Sequence, residues 1–317
     1  MMREVRVSFL AQEAQEVLSV VLDAADGKSL PSFEPGAHVD VEIEPGLVRQ
    51  YSLCPPLRSP RTYRIAIHRD DGGRGGSVRA HAVLREGARL AVGLPRNCFA
   101  LEPGSHDSVL FAGGIGITPL LAMACELQRR GAPFHLHYSA KSDAHAAFTA
   151  ELESTLGERV HFHFSEGEGA ARLDVAAALA NVAPSAHLYV CGSKRYADAV
   201  VTEAQARGWG DSAIHRESFS AVREASGEDI DFVVNAKASG VTLTVRKDQS
   251  ILEALQVAGI SIPTSCEQGI CGTCLTRVLE GEPDHRDAYL TDTERAANTQ
   301  IAVCCSRARS ARLVLDV

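Results

Sequence analysis

The chain has 317 residues, of which 45% are hydrophobic, and a formal net charge of -8 at pH 7. This length predicts about two domains, or three small ones, and the apolar fraction is enough for each to bury a core. The negative charge, without any basic cluster, argues against nucleic-acid binding. No apolar run approaches the roughly 18 residues of a membrane span, and the charged start MMREVR does not fit a signal peptide, so we expect a cytoplasmic protein.

The first part of the chain is rich in short β-strands. Runs that are apolar or alternate in polarity predict these strands, among them VRVSFL, VLSVVLD, HVDVEI and YRIAIHR. Gly, Pro and Asp separate the runs, which is typical of tight turns. Strands at such close spacing favour a small antiparallel barrel, which we place over residues 1–102.

The pattern then changes to strands that alternate with helices. SVLFAGG, FHLHYSA, RVHFHFS and HLYVCGS are typical of buried parallel strands, and TPLLAMACELQRR has a helical pattern. This alternation predicts an α/β, Rossmann-like domain over residues 103–220. Four histidines recur at period two, so we interpret them as polar faces of strands without a catalytic role: His135, His137, His161 and His163.

A glycine-rich turn, FAGGIGITP, joins the first of these strands to the helix. Gly113, Gly114 and Gly116 permit a tight turn and the close approach of a pyrophosphate. Thr118 is the predicted N-cap and Pro119 the predicted first helical residue. The turn therefore predicts a dinucleotide site.

Two further segments belong to the same predicted site. Ser139 and Lys141 follow the second strand, where the adenosine ribose of a dinucleotide lies. Lys141 favours a 2′-phosphate and Asp143 opposes one, so the residue chemistry leaves NADH and NADPH open. Cys191 and Gly192 end a later strand at the edge of the sheet where ligands bind.

The last part of the chain predicts a third unit. Residues 221–229 are polar and without periodicity, which is typical of a linker. Beyond them, DFVVNA and VTLTVR predict a hairpin, and Ser250 with Glu253 predicts a capping box that opens the helix ILEALQVA. Gly259 is placed to end that helix. We assign this third domain to residues 230–317.

Thiols are concentrated in this third unit, in the stretch SCEQGICGTC. Cys266, Cys271 and Cys274 have the spacing C-x4-C-x2-C, which with the distant Cys304 is typical of a plant-type [2Fe-2S] cluster. A structural zinc site is the alternative, but it favours two C-x2-C pairs and only one is present. Cys305 competes as fourth ligand. We favour Cys304 because 29 residues separate it from Cys274, which resembles the spacing of plant-type ferredoxins, and because adjacent residues of an extended segment point to opposite sides.

Hydride chemistry at a nicotinamide and one-electron chemistry at such a cluster require a mediator, commonly a flavin. The barrel offers two candidate segments for it. One is Arg49-Gln50-Tyr51-Ser52, and the other is the glycine-rich stretch over 72–77 before VRAHAVL, a helix entry suited to a phosphate.

With these motifs in order, the whole chain resembles the phthalate dioxygenase reductase family, which includes vanillate demethylase reductases. The family's R-x-Y-S motif matches Arg49, Tyr51 and Ser52, which implies contacts with the flavin phosphate, ribityl chain and ring edge. Its glycine-rich turn implies FMN rather than FAD. That turn matches Arg74, Gly75, Gly76 and Ser77.

The resemblance covers the other sites too. The family's G-G-x-G-x-T-P matches residues 113–119, and its C-G pair matches 191–192 beside the nicotinamide. Its E-x-F matches Glu217 and Phe219, whose ring would cover the flavin until nicotinamide displaces it. Lys141 stands where an arginine is common, and the family implies NADH. Its cluster loop matches residues 265–274, then 284–287 and Cys304.

We therefore expect an antiparallel β-barrel with FMN, an α/β domain with NADH and an α+β, β-grasp ferredoxin-like domain with a [2Fe-2S] cluster. Ser52, Cys191 and Phe219 would shape the stacked geometry of hydride transfer. The resemblance implies the reductase component of a Rieske-type aromatic oxygenase or demethylase, with transient contact to the oxygenase. A di-iron or haem oxygenase is an alternative client, and a non-catalytic metal-binding module is the rival interpretation.

Overall fold

The structure is a computed structural model that describes all residues except 1, 57–60, 74, 105, 168, 218, 220–228, 265–268, 270–271 and 288, and the side chain of residue 292. The chain divides into two compact units, Met1–Phe219 and Ser220–Val317. None of the helices in the described ranges is both long and apolar enough to cross a membrane.

The first unit begins with an antiparallel sheet, which runs in the order β4-β3-β6-β1-β2-β5, with β7 paired to β3. Its strands are β1 (Arg3–Ala14), β2 (Val17–Ala24), β3 (Ala37–Glu44), β4 (Leu47–Ser52), β5 (Thr62–His68), β6 (Arg89–Val92) and β7 (Arg96–Asn97). Helix α1 (Gly76–Val83) lies between β5 and β6 in the chain.

The sheet closes because its two edge strands meet. Cys54, just beyond β4, donates its backbone N–H to the carbonyl of Arg64 on β5 at 2.8 Å. Alternate residues point inward and are buried, as Val39 and Val41 on β3 show. The predicted barrel is confirmed, although the sequence pattern did not single out β4, the strand that carries Arg49 to Ser52.

The second sheet of this unit is parallel and runs in the order β10-β9-β8-β11-β12. Its strands are β8 (Ser108–Gly113), β9 (Phe134–Ala140), β10 (Val160–Phe164), β11 (His187–Cys191) and β12 (Ile214–Glu217). Its helices are α2 (Ile117–Arg130), α3 (Thr149–Leu156), α4 (Val175–Ala178) and α5 (Lys194–Ala206). The strand order reverses between β8 and β11, so their carboxyl ends form the edge where such sheets bind ligands.

Barrel and parallel sheet are joined by direct contacts. Arg64 of β5 donates two hydrogen bonds of 2.8 Å to the carboxylate of Glu151 on α3, and its guanidinium lies over the ring of Phe148. Cys54 and Ala66 of the barrel belong to the same buried hydrophobic cluster as one face of α2. These contacts explain why residues of both sheets form one compact unit.

The strand histidines lie beside one another on the paired strands β9 and β10. Ring nitrogens of His135 and His161 are 3.1 Å apart, as are those of His137 and His163. His137 is buried and stacks on Phe111, so it is not on a polar face as predicted. Burial and the neighbouring imidazoles lower the pKa of His137 to about 3, which keeps it neutral.

The second unit has a five-stranded mixed sheet in the order β14-β13-β19-β15-β17 and a two-stranded sheet of β16 with β18. Its strands are β13 (Phe232–Ala236), β14 (Val241–Val245), β15 (Leu275–Glu280), β16 (Pro283–Asp284), β17 (Gln300–Ala302), β18 (Arg307–Ala308) and β19 (Arg312–Leu315). Its helices are α6 (Ile251–Val257) and α7 (Asp292–Ala297).

The local signals of this unit are confirmed. β13 and β14 form the predicted antiparallel hairpin, and β19 pairs parallel to β13, as in a β-grasp sheet. The capping box of Ser250 and Glu253 is present, and Gly259 stands just past the helix at φ 79°. The buried face of α6 packs with these strands in one hydrophobic core.

Candidate functional site

A cradle for a phosphate lies where β4 meets the start of α1. The helix begins at Gly76, its N-cap Gly75 has φ 77°, and no side chain caps it. A Cβ added to Gly76 would lie 2.8 Å from Cζ of Arg49, so the guanidinium rests against the glycine backbone. The N–H groups of a first helical turn lack intrahelical partners, and beside an arginine they fit a phosphate well.

Tyr51 and Ser77 belong to the same two motifs, R-x-Y-S and the glycine-rich turn. Burial raises the pKa of Tyr51 above its usual range, so the phenol is neutral. Ser77 accepts a hydrogen bond from the backbone N–H of Asp70 at 3.0 Å. Arg74 lies outside the described residues.

Two residues paired across β3 and β4 each have a buried polar atom that lacks a partner in the described part of the chain. Ser52 is buried and its Oγ has no hydrogen bond, and His38, directly opposite it on β3, has an unpaired Nε2. Burial lowers the pKa of His38 to about 4, so the ring is neutral. Because unpaired buried polar atoms are costly, this pair fits the polar edge of a bound ring such as a flavin. His38 was not predicted as a site residue, because in the sequence it is one polar residue within a strand pattern.

The glycine turn after β8 interlocks with the end of β11. A Cβ added to Gly116 would lie 2.5 Å from the carbonyl carbon of Cys191 and 2.9 Å from the nitrogen of Gly192. A Cβ on Gly192 would lie 3.1 Å from Cα of Gly113. The start of α2 has no side-chain cap and no acidic residue in its first turn, so it is suited to a pyrophosphate.

The predicted N-cap of this helix is wrong. A short 3-10 helix, Gly114–Gly116, runs directly into α2, which begins at Ile117, so no extended residue precedes the helix. Thr118 lies inside the first turn and donates its hydroxyl to the carbonyl of Ile115 at 3.0 Å. Pro119 also lies in that turn, where a missing N–H costs no hydrogen bond.

Beyond the turn, two contacts join the end of β9 to α5 and to the segment after β10. Ser139 donates its hydroxyl to Oη of Tyr196 at 3.3 Å, and the ring of Tyr196 lies against Gly113. Lys141 lies with Nζ 3.7 Å from the carboxylate of Glu166. Sequence reasoning missed both Tyr196 and Glu166, because each reaches the site through strand order rather than through a local motif.

Cys191 and Glu217 face each other across β11 and β12. The thiol donates to Oε2 of Glu217 at 3.9 Å. Burial raises the pKa of Glu217 to about 8 and the pKa of Cys191 well above its usual value. Both groups therefore keep their protons at neutral pH. Phe219 packs against the hydrophobic cluster that contains Cys191.

Two of the four predicted cluster ligands are described. The thiol of Cys304 lies within interaction range of the thiols of both Cys274 and Cys305, so the three converge on one region. Cys266 and Cys271 lie outside the described residues. Within the described part of the chain, no three His, Cys, Asp or Glu side chains are arranged to hold a metal ion. A converging thiol pair supplies the soft ligands that an iron–sulfur cluster requires.

One of the two reasons for favouring Cys304 over Cys305, the extended segment, is wrong. Residues 303–305 form a turn, in which the backbone N–H of Cys305 donates to the carbonyl of Ala302 at 3.2 Å. A Cβ added to Gly269, in the cysteine-rich loop, would contact Sγ of Cys305. Both adjacent cysteines therefore face the loop, and the choice of fourth ligand stays a prediction.

Comparisons with known proteins cover the whole chain. The family described as the 2Fe-2S iron-sulfur cluster binding domain matches residues 234–309. The chain is 48% identical over 317 residues to a vanillate O-demethylase oxidoreductase of Pseudomonas sp. (strain HR199), covering 100% of each.

Two solved structures are similar over 100% of this chain. One is phthalate dioxygenase reductase, described as a modular structure for electron transfer from pyridine nucleotides to [2Fe-2S], with TM-score 0.81, 37% identity and 98% of that chain covered. The other is an intact type IV self-sufficient cytochrome P450 monooxygenase, with TM-score 0.80, 39% identity and 41% of that chain covered.

Proposed function

The chain belongs to the phthalate dioxygenase reductase family, and we propose that it carries electrons from NADH through FMN and a [2Fe-2S] cluster to a separate oxygenase. One observation carries the proposal. A single compact unit contains two uncapped helices that begin at glycine turns, α1 beside Arg49 and α2 at the reversal of strand order, and an iron–sulfur domain follows in the same chain. Each phosphate-bearing cofactor is thereby matched to one helix N-terminus.

When bound, FMN supplies the conversion between two-electron and one-electron transfer. Arg49 and the first turn of α1 hold its phosphate by charge-assisted hydrogen bonds. The unpaired hydroxyl of Ser52 offers one hydrogen bond to the edge of the ring, and Tyr51 remains a neutral phenol beside the ribityl chain. These roles follow from the places of Arg49, Tyr51 and Ser52 within the last four residues of β4.

The nucleotide is held by the first turn of α2, whose N–H groups face the pyrophosphate. Cys191 and Glu217 keep their protons at neutral pH, so no charge lies in that pair to oppose hydride transfer. Their contribution is to fix the edge against which the nicotinamide stacks, rather than to act as acid and base. Phe219, which packs against the hydrophobic cluster that contains Cys191, would cover the face of the flavin.

The client is an oxygenase, as the reductase relatives indicate, and we assign it to the Rieske-type aromatic oxygenases and demethylases. The full-length similarity to a vanillate O-demethylase oxidoreductase supports this class. We expect the contact to be small and transient, as is usual between electron-transfer partners. A haem oxygenase is the second candidate client, because the self-sufficient P450 contains a segment similar to the whole of this chain.

The test begins with the purified holoprotein under anaerobic conditions. We expect NADH to bleach the flavin bands first, and an electron paramagnetic resonance signal of a reduced [2Fe-2S] cluster to follow. The reduced protein is then mixed with the oxygenase component of a vanillate demethylase or with a P450 haem domain. Faster reoxidation by the Rieske protein supports the first client, and faster reoxidation by the haem domain supports the second. Flavin that stays oxidised in excess NADH would contradict the proposed function.

A further inference from the structure

The end of β10 brings a carboxylate to Lys141. Pairing of β9 with β10 continues past both strands, since Ser165 N–H donates to the carbonyl of Ala140 at 3.2 Å and Glu166 N–H donates to that of Lys141 at 2.8 Å. The Glu166 carboxylate then lies 3.7 Å from Nζ of Lys141, with both side chains more than half exposed. The lysine expected to attract a phosphate is therefore already paired with an acid.

This pair lies at the ribose end of the nucleotide site. In sheets with this strand order, the adenosine ribose lies beyond the second strand, where an acid suits the free 2′-hydroxyl of NAD and a cation suits the 2′-phosphate of NADP. The second strand here is β9. Among the described residues just beyond it, the Lys141 ammonium is paired with the Glu166 carboxylate, and the exposed carboxylate of Asp143 follows two positions after Lys141. A 2′-phosphate, with a charge of about −1.5 to −2, would meet more negative than positive charge.

We propose that Glu166 makes the enzyme select NADH over NADPH, by neutralising Lys141 and repelling a 2′-phosphate. This inference rests on the proposed function. It names the residue that decides between NADH and NADPH, a choice that the residues around Lys141 left open in the sequence. Lys141 alone would favour the phosphorylated coenzyme. Exposed ion pairs contribute little to folding, so Glu166 can be replaced without unfolding the protein.

The experiment measures kcat/KM for NADH and NADPH with ferricyanide as acceptor. We expect Glu166→Gln to raise the ratio of kcat/KM for NADPH to kcat/KM for NADH about fivefold, because the lost repulsion acts only on the 2′-phosphate. Lys141→Gln, which leaves the carboxylate of Glu166 unpaired, should lower kcat/KM for NADPH below the wild-type value. The matched control is Glu203→Gln, which removes a carboxylate paired with Arg207 near the carboxyl end of α5, at the opposite edge of the sheet.

Binding of 5′-AMP and 2′,5′-ADP to the holoenzyme, measured by calorimetry, separates selectivity from catalysis. In Glu166→Gln the ratio of the two affinities should move towards 2′,5′-ADP, and the shift should shrink at high salt. An unchanged ratio, or an equal change in the Glu203→Gln control, would overturn the inference. If the wild type oxidises NADH but Glu166→Gln keeps its coenzyme ratio, only this inference fails. If the wild type neither binds 5′-AMP nor oxidises NADH, the proposed function fails with it.

Discussion

Replacing Gly116 by alanine tests whether the glycine turn positions the nucleotide helix. The added Cβ would lie 2.5 Å from the carbonyl carbon of Cys191, whereas two carbons in contact are about 3.5 Å apart. Roughly 1 Å of overlap must be relieved, and the opposing atoms are backbone that cannot rotate away. Overpacking of this kind typically costs about 1–3 kcal/mol.

The strain should appear both in stability and in coenzyme use. For a unit of this size, we expect Gly116→Ala to lower the Tm by roughly 2–12 °C, measured by scanning fluorimetry. If the turn relieves the overlap by moving, the first turn of α2 is displaced by a similar distance from the pyrophosphate. A displacement of that size can reduce catalysis by about a hundredfold, so KM for NADH should rise at least tenfold. Flavin content and the cluster signal should not change.

Two other glycines provide controls for this substitution. A Cβ on Gly210 meets nothing within 4 Å, and its φ is −77°, so Gly210→Ala should behave as the wild type. A Cβ on Gly114 also meets nothing, but its φ of 55° is left-handed, so Gly114→Ala should cost about 1 kcal/mol through the backbone alone. If Gly116→Ala matches Gly210→Ala in Tm and in KM, the turn tolerates a side chain and our account of the interlock is refuted.

Four further substitutions test the remaining sites. Arg49→Ala should lose FMN on dialysis, measured by flavin absorbance per protein, and full retention would count against its phosphate role. Glu217→Gln removes a carboxyl whose pKa is raised from 4.5 to about 8. Between these two pH values the carboxyl is ionised only in the unfolded chain, so the wild type should lose stability relative to the variant as the pH rises from 4.5 to 8, and should lose none below 4.5. Denaturation midpoints that stay parallel across this range would disprove the raised pKa. Cys304→Ser should abolish the cluster resonance while NADH still reduces the flavin, whereas loss of the cluster in Cys305→Ser alone would identify Cys305 as the ligand.

Features encoded locally could be predicted from the sequence. The hairpin of β13 and β14 and the capping box at Ser250 depend on residues only a few positions apart, and both are present. The glycine turn at Gly116 was found for the same reason, since glycine is required wherever two backbones approach this closely.

Features created by long-range packing could not be predicted. Thr118 has a good N-cap side chain, but a 3-10 turn takes the place of the extended residue that a cap requires. Tyr196 and Glu166 reach the nucleotide site only because the order of the strands places their elements beside β8 and β9. Cys305 faces the cysteine-rich loop because its segment turns, which a rule for extended chains does not anticipate.

The contact of Arg64 with Glu151 also bears on how such proteins recombine during evolution. A genetic crossover between the barrel and the parallel sheet would divide a shared hydrophobic cluster and leave a largely enclosed guanidinium without its carboxylate. A crossover just after Phe219 breaks neither. The first 219 residues therefore form a unit that can be exchanged as a whole. Recombination, or a protein engineer, can join it to a different one-electron carrier without changing the residues that take part in hydride transfer.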